Sequence, residues 1–127
     1  MSGTALTHDT GRRKWKNWHE NYEVRLRRLV DVWNSDPERS SVSSYKKTTT
    51  ALQKLIRESR AKNERIRAFG GGWSFSGAPV TDGTLINTKP LNYRFPIGSS
   101  AVSARFRGKK RNLYFVQCGT SIAELNW

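Results

Sequence analysis

The chain has 127 residues, the length of one modest domain or of part of a larger one. Hydrophobic residues make up 35% and include five Trp and five Phe, enough burial area for a core, which excludes disorder throughout. Lys and Arg number 23 against 10 Asp and Glu, a formal charge of +13 with no single basic arm, which favours anionic partners: nucleic acid, anionic lipid or a phosphorylated small molecule.

Residues 1–14 are polar and aperiodic, a loose lead. Arg12, Arg13, Lys14 and Lys16 run into charged sequence instead of a secretory core, and no stretch reaches membrane-spanning length, so a soluble, cytoplasmic protein is expected. Over 20–33, Tyr22, Leu26, Leu29, Val30 and Trp33 recur at helical spacing while Arg25, Arg27 and Arg28 fall elsewhere on the wheel, which predicts an amphipathic helix with Trp33 on its core face. Ser35, Asp36, Pro37 and Glu38 stop it, and 40–44 reads as loop or short strand. Thr48, Thr49 and Thr50 offer N-cap oxygens to a second helix, where Ala51, Leu52, Leu55 and Ile56 share a face and which ends near 61–63. Arg65, Ile66, Arg67, Ala68 and Phe69 then alternate in character, as in a short strand with one buried face.

The stretch FGGGWSFSG at 69–77 follows that strand directly. Thr81, Asp82 and Gly83 form a turn in which the Asp82 carboxylate is expected to bond nearby amides, with catalysis as its alternative role. A short strand covers 84–87, a turn 90–92, and a hairpin tip or loop insertion 97–112. The strongest strand is 113–118, and it should bury Cys118, which as the only cysteine cannot form an internal disulfide. Ser121 and Glu124 have the spacing of a capping box. A helix opened there should run about three turns, yet the sequence stops at Trp127, so it is expected to be cut within a domain.

Glycines let backbone amides converge on an anion without a Cβ in the way, and Ser74 and Ser76 could add hydroxyl donors. The dinucleotide fingerprint fails because Phe75 stands where a third glycine belongs, and the Walker pattern fails for want of Gly-Lys-Ser/Thr. A phosphate-binding loop and a plain glycine turn both remain. His8 and His19 are too isolated to suggest a metal pair. Arg105, Arg107, Lys109, Lys110 and Arg111 surround Phe106, which suits either a single-stranded nucleic-acid contact or a solvated tip.

The ordered series of a Thr-rich helix start, RIRAF, GGGWSFSG, TDG, TLIN, PLN and LYFVQCGTSIAEL resembles the FAD-binding domain of the vanillyl-alcohol oxidase/p-cresol methylhydroxylase (PCMH-type) flavoprotein family. It is most similar to the sugar-lactone and alditol oxidase branch. The likeness covers 42–127; before it, Asn17 and Trp18 match only loosely. The resemblance implies an α+β fold of short strands with flanking helices: a lead with an amphipathic helix at 1–41, then the first portion of the FAD-binding domain at 42–127. It implies that Gly70, Gly71, Gly72, Trp73 and Ser74 contact the FAD pyrophosphate, flanked by Phe75 and Ser76. Several members tether flavin through a histidine of this loop; Trp73 stands there, which implies noncovalent FAD. The implied function is the flavin-binding part of an oxidoreductase that oxidises a CH-OH carbon, inactive without a substrate domain. The alternative is a basic nucleic-acid-binding module.

Overall fold

The computed structural model describes residues 6–35 and 42–126. The first five residues of the expected lead, the expected stop at Asp36, Pro37 and Glu38, Ser40 and Ser41 of the expected loop, and Trp127 lie outside them. In chain order the elements are β1 (Thr7–Asp9), β2 (Lys14–Lys16), β3 (Glu23–Arg25), β4 (Arg28–Val32), α1 (Val42–Ala61), β5 (Ile66–Phe69), β6 (Thr84–Asn87) and β7 (Arg94–Pro96). Two 3-10 segments (Ser99–Ala101 and Ala104–Asn112), β8 (Tyr114–Val116) and α2 (Ile122–Leu125) follow. The class is therefore mixed α and β, as expected.

The main sheet has the order β1-β4-β6-β5, with β4, β6 and β5 parallel and β1 antiparallel on β4. The expected lead and the expected flavin-binding portion thus share one sheet. Parallel strands of one sheet require a crossover. Helix α1 lies in the one from β4 to β5, which flank β6 in the sheet, and lays Leu52 and Leu55 against Val30, Val32, Ile66 and Ile86.

The helix expected over 20–33 is instead the end of a β2-β3 hairpin followed by β4. Leu29 and Val30 are adjacent and both buried, one in each of two apolar clusters on opposite faces of the sheet. A central parallel strand covered on both faces shows an apolar run with no period of two. With Leu26 and Trp33 nearby, that run imitates a helical stripe. The β-branched Val24, Val30 and Val32 suit strands better. Trp33 lies just past β4, partly exposed, its ring stacked 5.9 Å from His8.

Helix α1 starts at Val42, upstream of the expected cap. Thr48, Thr49 and Thr50 sit inside it, where their hydroxyls donate to the carbonyls of Ser44, Tyr45 and Lys46 one turn back. Ile56 lies on the exposed side, so the buried face is narrower than the apolar spacing implied. Beside the helix end, Arg28 Nε donates to Thr84 Oγ1 at 2.7 Å, and that hydroxyl donates to Glu64 Oε1 at 2.5 Å.

Strands β7 and β8 pair antiparallel, with the rings of Phe95 and Phe115 stacked at 4.8 Å. The expected strand over 113–118 is only its middle, Tyr114–Val116, and Cys118 is an exposed free thiol. Among the described residues β8 pairs with β7 alone, so its outward side chains Tyr114 and Val116 remain exposed. After it the chain presses against 88–91: a Cβ on Gly119 would collide with the carbonyls of Thr88, Lys89 and Leu91. The capping box of Ser121 and Glu124 opens α2 as expected. In the turn before β6, Thr81 Oγ1 accepts from the Gly83 amide at 3.2 Å. Thr81 thus takes the role expected of Asp82, whose carboxylate faces Arg65 at 3.8 Å in solvent. Among the described residues no helix is long and apolar enough to cross a membrane.

Candidate functional site

Parallel strands β4, β6 and β5 direct their carboxyl ends to one side of the sheet, where open α/β sheets place their ligands. The loop 70–76 leaves the carboxyl end of β5 there. Its backbone demands glycine at position 72, and an exposed ring crowds position 71. Gly72 has φ +74°, and a Cβ on Gly71 would lie 2.7 Å from Trp73 Cδ1.

The loop is fastened by its carbonyls to the turn between β2 and β3. The Trp18 amide donates to Gly72 O at 2.8 Å, Asn17 Nδ2 to Ser74 O at 3.0 Å, and Asn21 Nδ2 to Phe75 O at 3.2 Å. A trans peptide carries its N-H opposite its C=O. Holding the carbonyls of Gly72 and Ser74 on one side therefore turns the amides of Trp73 and Phe75 to the other. Among the described residues, no acceptor takes the amides of Gly70, Gly71, Gly72, Trp73 or Ser74. Asn17 is itself buried and braced: its Oδ1 accepts from the Tyr22 amide at 3.0 Å, and its Nδ2 also donates to Asn21 Oδ1 at 2.6 Å.

The two serines, expected to add hydroxyl donors, bond to each other within the loop. Ser74 Oγ and Ser76 Oγ lie 2.9 Å apart, and Ser74 Oγ accepts from the Ser76 amide at 3.2 Å, so both hydroxyls close the turn. The aromatic side chains point outward. Trp73, 58% exposed, stacks on Trp18 at 4.7 Å, and Phe75, 71% exposed, stacks on His19 at 3.8 Å.

A cavity of about 450 Å³ lies against the loop, walled by Trp15, Asn17, Trp18, Phe69, Gly71 and Gly72. Its rim carries Lys16, whose ammonium sits 2.8 Å from Glu20; that hydrogen bond raises the lysine above its ordinary pKa. The structure thus brings all seven expected loop residues together and adds Asn17 and Asn21. Asn21 was missed. Its signal was faint: an Asn four residues after another, in a turn that the helical reading of 20–33 had absorbed.

The basic segment lies on another element, the 3-10 stretch Ala104–Asn112. Arg105, Arg107, Lys109 and Arg111 are exposed and enter no ion pair among the described residues. Arg105 lies 5.9 Å from the Phe106 ring. Comparison of the chain with protein-family models and with curated proteins finds no match.

Proposed function

We propose that residues 70–76 are the pyrophosphate-binding loop of a PCMH-type FAD-binding domain, and that the chain is the flavin-binding part of a flavin-dependent oxidoreductase. One observation carries the reading: carbonyls pinned at Gly72 and Ser74 turn the Trp73 and Phe75 amides away from the turn that holds them, and the amides of Gly70 to Ser74 meet no acceptor among the described residues, at the carboxyl end of a parallel strand. Oriented amides are fixed partial positive charges suited to a diphosphate. The amides of Gly70 to Ser74 have no acceptor of their own among the described residues, so the residues present fit the group. Gly70, Gly71, Gly72, Trp73 and Ser74 would hold the diphosphate, with Phe75 and Ser76 keeping the turn closed. Trp73 offers no imidazole, so the cofactor is held noncovalently. Bound FAD supplies a two-electron acceptor for a CH-OH carbon, such as that of a sugar lactone or alditol.

The test is a titration of the purified chain with FAD, following flavin emission and the fluorescence of Trp18 and Trp73. Saturable quenching is expected, with FAD released intact by acid denaturation. A β-branched residue is strained at the left-handed backbone of position 72. Gly72→Val should therefore weaken FAD at least tenfold while far-UV dichroism stays unchanged. Equal affinity in the variant would exclude the loop as the site.

A further inference from the structure

We propose that β8, which takes no part in the glycine loop, is a docking edge for an acidic peptide of a partner protein, added to the β7-β8 ribbon as a third, antiparallel strand. The parity of the ribbon shows which backbone groups are open. Phe95 and Phe115 pair directly, and two residues away on either side the amides of Ile97 and Gln117 donate to the carbonyls of Leu113 and Tyr93 at 3.0 and 2.9 Å. In an antiparallel ladder the backbone bonds reach a given neighbour at every second residue. Those of Tyr114 and Val116 therefore point away from β7, and no partner among the described residues meets them. They offer a donor and an acceptor at each of two positions about 7 Å apart, a pattern that a second polypeptide backbone matches and a sugar-phosphate chain does not.

Every other edge strand among the described residues carries a charge: Asp9 in β1, Lys14 and Lys16 in β2, Glu23 and Arg25 in β3, Arg67 in β5, and Arg94 with Pro96 in β7. Charges and prolines discourage pairing with foreign strands. Strand β8 has neither. Its Phe115 is taken up on one face, stacked on Phe95 and edge-on to Tyr45 of α1 at 5.0 Å. On the other face Tyr114 is 52% and Val116 38% exposed, so an added strand gains apolar contact as well as hydrogen bonds. A two-stranded ribbon is marginal by itself, and a third strand with an apolar face stabilises it.

The charge beside the edge selects the occupant. The 3-10 stretch Ala104–Asn112 lies against β7 and runs through Leu113 into β8. Its Arg107, Lys109 and Arg111 are exposed and enter no ion pair among the described residues. An antiparallel strand runs its C-terminal part past Leu113 towards them. The segment that fits has apolar residues opposite Val116 and then Tyr114, with Asp or Glu following, and binds through its backbone while alternate side chains select it. A second copy of this chain, also carrying +13, would be repelled there.

The test titrates the isotope-labelled chain with acetyl-Val-Thr-Val-Thr-Glu-Glu-Glu, with the same peptide N-methylated at both Val amides, and with a version ending in three Lys. The parent peptide is expected to slow solvent exchange of the Tyr114 and Val116 amide hydrogens. N-methylation blocks two backbone donors and should weaken binding at least tenfold, and the Lys version should not bind. Val116→Pro removes an outward N-H and no bond to β7. It should weaken the parent peptide about tenfold, with protection of the Ile97 and Gln117 amides reporting that the ribbon is formed; if the ribbon is lost, the N-methylated peptide decides. Equal affinity for the N-methylated or the Lys peptide, or unchanged exchange at Tyr114 and Val116, overturns the proposal. So does a single-stranded oligonucleotide that slows exchange at those two amides as much as the peptide does. Sedimentation of the free chain as a dimer that Val116→Pro dissociates would overturn it too, and would assign the edge to a second copy.

Discussion

Glu124 Oε2 accepts from both the amide and the hydroxyl of Ser121 at 2.6 Å, and the Glu124 amide returns a bond to Ser121 Oγ at 3.3 Å. The Ser121 bonds favour the ionised carboxylate and hold its pKa at about 2, from an ordinary 4.5. A depressed native value means that the cap's contribution is whole above about 4.5 and is lost as pH falls towards about 2. The side-chain carboxyl carbon signal of Glu124 should therefore titrate near 2 in the native chain, and Ser121→Ala should bring it back towards 4.5; a native midpoint near 4.5 would show that the cap is not formed. This cap was legible because both partners lie within one turn. The bracing of the glycine loop was not, since Asn17 and Ser74 are separated by 57 residues and nothing in a local window joins them. Gly119 gives a second residue-scale expectation. Gly119→Ala drives a Cβ into three carbonyls and should cost about 2–3 kcal/mol, read as a lowered denaturant midpoint.

Single elements differed in how well the sequence declared them. Strands β5 and β6 were visible because Gly and turn residues bound them closely, which also located the loop at a strand end. Strand β4 was hidden because burial on both faces removes the alternation by which a strand is recognised, and Leu26, Leu29, Val30 and Trp33 fell by chance at helical intervals. Helix α1 was recognised from Leu52 and Leu55, but its start was placed too late: hydroxyls suited to a cap can also bond back inside a helix. The difference between apolar spacing and actual burial gives a prediction. Leu85 is fully buried between the hairpin and its own sheet, so Leu85→Ala should cost about 2–5 kcal/mol in urea unfolding. Ile56→Ala, on the half-exposed side of α1, should cost less than about 1 kcal/mol. Equal losses would mean that the outer face of α1 is covered.

At the scale of the whole molecule, a charge of +13 attracts any polyanion, so anion binding alone does not distinguish a flavin site from a nucleic-acid surface. Salt dependence does, because the two candidate surfaces use different chemistry. The glycine loop presents uncharged amides, and its affinity for FAD, a dianion, should fall less steeply with added salt than that of a polyanion. The exposed segment bearing Arg105, Arg107, Lys109 and Arg111 acts through full charges, and a single-stranded oligonucleotide bound there releases counterions as it binds. Each phosphate neutralised on a single strand contributes about 0.7 to the slope of log affinity against log salt. Replacing Arg107, Lys109 and Arg111 together with Ala should lower that slope by about 2 and leave FAD affinity as it was, provided the segment is the oligonucleotide surface. An unchanged slope would place oligonucleotide contacts elsewhere on the basic chain. A parallel loss of FAD affinity would show that the segment helps hold the cofactor, and the nucleic-acid reading would then lose the unpaired cations that favour it.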